Sequence, residues 1–280
     1  MSPEEPSPRV SPFTFPPQYQ LPALPPAHRQ LRFLLGDDLA LFEKGMNLEL
    51  RVVADSRASR YRTHALAALL GPWSRAFTYK ACACSLMTAG GYVSCLPLLR
   101  TACDCIAAQK GLAGEDASEF TGWLAQAGQS REHAALDVGL GRYRAGGMVS
   151  TDERLGGVYR VVTELSMPHF GATLLQVAPD SDLQKISIAF ADGSFHLAWA
   201  ELILGWLLTL VDAQLATTIG AGETFVVCQE VSEGADRLSQ EVATALARPG
   251  RCCVEEVEQG RYLFHNFRRQ PGASPRRILL

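Results

Sequence analysis

Apolar residues recur at three- and four-residue steps along most of the chain, the spacing that lines side chains along one face of an α-helix. Between about Gln30 and Asp55 these are Leu31, Leu34, Leu35, Leu39, Phe42, Met46, Leu50 and Val53, with Asp37, Asp38, Lys44 and Arg51 mostly elsewhere. A first helix is expected there. A second stretch, from about Ser56 to Leu70, carries Arg57, Arg60, Arg62 and His64; Gly71-Pro72 then predicts a break before a resumed helix over Trp73 to Ala89. Gly90-Gly91 reads as a tight corner leading into a helix over Tyr92 to Lys110, with Pro97 in its first turns and Gly111 at its end. Ser118 to Ala127 predicts a short helix, and residues 128–150 a polar, glycine-rich connection with a single helical turn.

Downstream, Thr151-Asp152-Glu153 supplies a capping residue and early negative charge for a helix through Val158, Val161, Val162 and Leu165, broken at Pro168. Lys185 to Phe190 alternates as a short strand would. The stretch from about Ser194 to Thr218 is apolar from Leu197 to Val211 except for Glu201. A membrane span needs about 20 apolar residues, and Asp192, His196, Asp212 and Gln214 close in too early. It therefore reads as a central helix buried on nearly every side. Residues 223–247 are amphipathic and helical in pattern, and Cys252 to Phe267 reads as two short strands around Gln259-Gly260.

The expected fold is all-α: a bundle of about seven helices centred on Ser194–Thr218, with a small C-terminal β-hairpin. Its organisation reads as a proline-rich arm (1–28), a helical bundle (29–221), a C-terminal helix and hairpin packed on it (222–267), and a basic tail (268–280). The arm holds nine of the sixteen prolines, and proline neither donates an amide nor leaves the helical region of φ freely. Phe13, Phe15 and Tyr19 of the arm are available to pack on the domain or on a protein partner.

Net charge is −3 and charged residues make up 20% of the chain, so neither a strong nucleic-acid field nor a disordered chain is expected. Lys44, Lys80, Lys110 and Lys185 are the only lysines among 26 basic residues. The N-terminal MSPEEPSPRV has no apolar export signal, which points to a soluble, cytoplasmic protein with reduced thiols. Among the eight cysteines, Cys82/Cys84 and Cys103/Cys105 are two apart, which on a helix turns the sulfurs about 200° from each other. They read as small core residues rather than zinc ligands. Phosphate-loop, dinucleotide, Gly-x-Ser-x-Gly and Glu-x-x-His patterns are missing from the sequence, and no cofactor or metal is expected.

Two groups of residues invite chemistry. Arg57 and His64, seven residues apart, would share one helix face, as RNA cleavage by a cation and an imidazole requires. That spacing resembles the motif of HEPN-type ribonucleases, with Ala58 where the family often has a polar residue. The second group combines Ala89-Gly-Gly-Tyr-Val-Ser-Cys-Leu-Pro-Leu-Leu-Arg100-Thr-Ala-Cys-Asp104 with Tyr159-Arg-Val-Val-Thr-Glu164-Leu-Ser166-Met-Pro-His169. Over about residues 60–215 this resembles a broad group of uncharacterised bacterial all-helical proteins with a Leu-Leu-Arg-x-x-x-Glu helix and a Tyr-x-x-Leu-Ser-x-x-x-His segment; Asp104 stands where the group prefers glutamate. The resemblance implies a helical fold and a HEPN-like relationship. If the two helices pack, Arg100, Asp104, Glu164, Ser166 and His169 would form one polar cluster, either fixing helix register or tuning His169 as a base.

Three functions follow as expectations. The first is a non-enzymatic helical binding or assembly protein, oligomeric, with a partner contacted through residues 1–28 and the basic tail. The second is a metal-independent, HEPN-like ribonuclease using Arg57 with His64, or Arg100 with His169, on RNA. The third is a small-ligand pocket around Arg100, Asp104 and His169.

Overall fold

The computed structural model describes residues 9–10, 26–57, 64–113, 128–129, 136–137, 146–181, 184–221, 224–258 and 260–280. Within them the chain is an all-α bundle with a small C-terminal antiparallel sheet. Eight helices lie among the described residues: α1 (Pro26–Arg57), α2 (His64–Thr88), α3 (Tyr92–Ala113), α4 (Gly146–Thr151), α5 (Glu153–Ser166), α6 (Phe170–Val177), α7 (Leu197–Gly220) and α8 (Gln229–Leu246).

Helix α7 is the axis of the bundle. Helices α1, α2, α3, α5 and α8 and the first strand of the sheet all pack against it, and from Leu197 to Leu208 every residue is buried. It is long and apolar enough to cross a membrane by length and composition, and most of it is buried inside the protein. Glu201, the charge that interrupts its apolar run, accepts the Cys252 amide at 2.9 Å, while the Arg251 guanidinium donates to the Glu201 carbonyl at 2.9 Å. The charge is thus used to fasten the C-terminal sheet to the central helix.

Helix α1 buries Ala27, Leu31, Leu35, Asp38, Leu41, Phe42, Gly45, Met46, Glu49, Val52 and Ser56, a stripe built on four- and three-residue steps. Leu50 and Val53, expected inside, are exposed. The face is set by polar partners: Glu49 receives the buried Lys80 ammonium and the Trp73 indole N–H (2.9 Å), both from α2. Asp38 is gripped by Arg248 and Arg251. A backbone departure from helical angles at Leu35 kinks α1 near its start.

The break expected at Gly71-Pro72 does not occur. Helix α2 runs through Pro72, because burial of Pro72 and of the hydrogen-bonded Trp73 beside it outweighs the ~3 kcal/mol that an interior proline costs. Helix α3 likewise continues through Gly111 to Ala113. The Gly90-Gly91 corner is as expected, with Gly90 at φ +81°. Helix α5 is capped by Asp152 rather than Thr151, its carboxylate accepting the Arg154 and Leu155 amides, and it ends before Pro168. The short helix expected over Ser118–Ala127 lies outside the described residues.

Strand β1 (Arg9–Val10), within the proline-rich arm, pairs in parallel with β4 (Lys185–Ile186), and β2 (Gly128–Gln129) pairs with β3 (Leu136–Asp137). The hairpin of β5 (Cys253–Glu258) and β6 (Arg261–Phe267) turns at Gly260, φ +75°. The basic tail departs from expectation: residues Arg276–Leu279 form β7, a third strand beside β6. It is held because Arg276 donates to the Ser181 (2.7 Å) and Pro179 carbonyls and stacks 5.8 Å from the Phe267 ring centroid. Phe264 and Phe267 of β6 are fully buried.

Candidate functional site

The residues singled out from the sequence occupy separate places. Arg57 closes α1 and His64 opens α2, with residues 58–63 outside the described set. Their side chains are not among those described, so the pairing expected of them lies outside the described residues. Arg100 and Asp104 sit one turn apart on α3, half-buried, and the Arg100 guanidinium stacks 5.8 Å from the Tyr159 ring centroid of α5. Burial raises the Asp104 pKa, with Arg100 opposing it. His169 Nε2 meets Glu164 Oε2 at 3.0 Å on the exposed surface, and the Ser166 hydroxyl donates back to the Val162 carbonyl. No hydrogen bond or ion pair joins Arg100 and Asp104 to Glu164, Ser166 or His169, so the single cluster expected from the sequence is two. Packing divides them: Arg100 turns onto the α5 ring, whereas the Pro168 break carries His169 out to solvent.

The cysteines are free, and among the described residues no group of three or more His, Cys, Asp and Glu side chains converges as a metal site. Burial pushes the Cys84 thiol up to about 11 and Cys95 up to about 12.

The most elaborate polar arrangement lies elsewhere, at a pocket of about 320 Å³ built where three distant parts of the chain meet. The first is the Gly90-Gly91 corner with the start of α3. The second is the connection leading into α7, residues 189–196. The third is Arg269, just after β6. Close backbone approach joins the first two, since a Cβ on Gly90 would stand 2.1 Å from the Gly193 carbonyl oxygen. The Tyr92 hydroxyl then accepts the His196 amide at 3.2 Å.

Arg269 ties in the third part. Its guanidinium donates to Asp180 (2.7 Å), Asp192 (2.8 Å) and the Ser194 hydroxyl (2.6 Å). Asp192 in turn accepts the Ser194 amide at 2.9 Å and its hydroxyl. Burial raises the Asp192 pKa, but the Ser194 and Arg269 hydrogen bonds outweigh it and hold the carboxyl below its ordinary range. The first amides of α7 are also accounted for: Leu197 and Ala198 donate to the Arg269 and Arg268 carbonyls at 2.9 and 3.0 Å, and Trp199 donates to His196 Nδ1 at 3.5 Å.

His196 is the chemically informative residue of this wall. It is only 2% exposed. Burial first, then Arg269 and Arg276, push its pKa down to about 3, with Asp192 opposing less. It is therefore neutral at ordinary pH. Because Nδ1 accepts the Trp199 amide, the single ring proton is assigned to Nε2. That Nε2 is buried and has no hydrogen-bond partner among the described residues, an arrangement that costs about 1–3 kcal/mol unless something accepts from it. The ring is fixed against Phe267, centroids 4.9 Å apart.

The polar side chains of this wall are tied chiefly to one another. The Ser194 hydroxyl is committed to Asp192 and Arg269 rather than to His196. The sequence signalled only fragments of the site: the glycine corner, and Asp192 and His196 as polar flanks of the apolar run. Comparison with protein-family models, with curated proteins and with solved structures gives no match.

Proposed function

We propose that this chain is a non-enzymatic binding protein for a small polar molecule, taken into the pocket between Gly90-Gly91, His196 and Arg269. The observation that carries this reading is the formed cavity itself, about 320 Å³, whose polar wall of Asp192, Ser194 and Arg269 is braced by hydrogen bonds from Arg269. Pockets that orient ligands do so with a few fixed polar atoms set among apolar ones. Here Val93, Val177, Ala189 and Trp199 supply the apolar part. The polar atoms around them are held rigidly by the Arg269 ion pairs.

A direct test is a fragment screen by protein-observed NMR with a blocking variant. Ser94 is an exposed residue of the pocket lining, so Ser94→Trp fills the mouth without disturbing the core. Fragments that shift the His196 and Tyr92 resonances of wild type and lose at least about tenfold in affinity in Ser94→Trp support the reading. A screen in which no fragment shows that pattern contradicts it.

Assembly is a second reading, favoured by a separate observation. Phe33, Phe170 and Phe190 are 87%, 84% and 66% exposed, unusual for phenylalanines of a monomer's surface. A homo-oligomer would cover them. Sedimentation velocity of wild type against Phe33→Ser/Phe170→Ser checks this, with dissociation to a slower species expected.

A further inference from the structure

Strand β7 is an outer strand of the C-terminal sheet, bonded on one side only, to β6. Leu280 exchanges both backbone bonds with Tyr262, at 2.9 and 3.0 Å, and Ile278 faces Phe264 in the same ladder. Backbone groups alternate in direction along a strand, so Arg277 and Leu279 turn their N–H and C=O outward. Among the described residues no hydrogen bond reaches those groups. An open edge of this kind is a template for a further strand.

The edge runs beside a groove of about 640 Å³. One wall is α6, which presents Gly171, Leu174 and Leu175 at three- and four-residue steps; the other is Ile278, Leu279 and Leu280 of β7. A Cβ on Gly171 would stand 3.2 Å from Leu280 Cδ2, so the glycine lets the end of β7 come close to the helix. Leu279 is 48% exposed, and Met167 and Phe170, at the start of α6, are exposed as well. Unmet main-chain groups along an edge, with an apolar groove beside them, match an extended peptide: the edge bonds its backbone and the groove takes its alternate side chains. A helix or a lipid chain laid there would leave the edge groups unmet.

Charge narrows the guest further. Arg276 is tied to the Pro179 and Ser181 carbonyls and to no carboxylate, and Arg277 is exposed with no partner among the described residues. Asp180, within the segment that Arg276 grips, is already paired with Arg269. Two guanidinium groups at one end of the groove thus stand without an acid. A second copy of β7 would bring two more arginines to the same ribbon, so charge opposes self-pairing and favours an acidic guest.

We infer that the groove between α6 and β7 docks an extended segment of a partner protein, added as a fourth strand beside β7. Its alternate apolar side chains enter against Leu174 and Leu175, and an Asp or Glu of the segment meets Arg277. This site stands independently of the small-molecule pocket proposed above.

The probes are acetylated, amidated hexapeptides Asp-Thr-X-Thr-X-Thr, with X valine, leucine or phenylalanine, titrated into the full chain while its backbone amide signals are followed. At least one is expected to saturate shifts of Leu174, Arg277 and Leu279. In that peptide, N-methylation of one alternate set of residues should abolish binding, because those amides face β7, and N-methylation of the other set should leave affinity within about twofold. Arg277→Glu changes an exposed side chain and leaves the fold intact. It should weaken the peptide by about fivefold or more, and lysine in place of the peptide's aspartate should recover the loss. No saturable shift from any of the three peptides, or equal effects of the two methylation patterns, overturns the inference. Binding that appears only once residues 11–25 are replaced by a glycine-serine linker also overturns it, making this chain's own segment the occupant. So does binding that appears only on dilution of a dimer, which would make the occupant a second copy.

Discussion

The most completely buried ion pair among the described residues joins an acid of α1 to a lysine of α2. Lys80 and Glu49 are both fully buried and face each other across α1 and α2. Burial raises the Glu49 pKa and lowers that of Lys80, and their mutual attraction opposes both shifts. Removing one partner strands the other, so Glu49→Gln is expected to destabilise by roughly 3–5 kcal/mol in urea unfolding. Glu49→Leu combined with Lys80→Met should recover most of that loss, because well-packed apolar replacements remove both desolvation penalties together. His196 gives a sign that can be read by pH. Its pKa is 6.5 in an ordinary setting and about 3 in the fold, so between those values the unfolded chain binds a proton that the folded one refuses. Stability should therefore fall on acidification below about pH 6.5, by up to ~1.4 kcal/mol per pH unit. The slope that wild type shows beyond His196→Asn between pH 6.5 and 4.5 measures it.

At the scale of elements, the bundle depends on helices that approach closely where a glycine faces a neighbour. A Cβ on Gly45 of α1 would stand 2.3 Å from Val211 Cγ1 of α7, whereas Gly157 of α5 has nothing within 4 Å. Alanine improves helix propensity at both sites by up to about 1 kcal/mol, but overpacking costs typically 1–3 kcal/mol. Gly157→Ala should thus raise the unfolding midpoint and Gly45→Ala should lower it. The same stripe explains what sequence reading caught and what it missed. The long apolar run of α7, the glycine corner at Gly90 and the break at Pro168 are local features, and each was legible. The true inner face of α1 was not, because it includes Asp38, Gly45 and Glu49, and a search for apolar residues passes over them in favour of Leu50 and Val53. Nor was the continuity of α2 through Pro72, which rests on contacts with α1 rather than on local propensity. The strand at Arg276–Leu279 looked like a charged tail because Arg276 satisfies carbonyls of the segment at Pro179 and Ser181, distant in sequence.

For the whole molecule, packing encloses four of the eight thiols, and this predicts their reactivity. Cys82 and Cys253 are exposed, Cys84 and Cys228 are intermediate, and the other four are buried. At pH 8, two thiols are expected to react quickly with a disulfide reagent, and Cys95, Cys103, Cys105 and Cys252 only on unfolding. Rapid labelling of all eight would contradict the described packing. The pocket belongs to this scale as well. Tyr92 and His196 are 104 residues apart, and Arg269 meets Ser194 across 75. No spacing along the sequence encodes such a meeting, which is why Arg100 and His169, neighbours by pattern, drew attention while His196 read as a flank. The account of the pocket rests on His196 being a buried, neutral imidazole that accepts the Trp199 amide at Nδ1 and so fixes the start of α7. Side-chain nitrogen NMR of the histidines, recorded from pH 8 to 4.5, tests this most directly. The account predicts one histidine locked as the Nε2–H tautomer, unprotonated throughout, and lost from the spectrum in His196→Asn. A His196 that titrates near 6.5, or carries its proton on Nδ1, would contradict it.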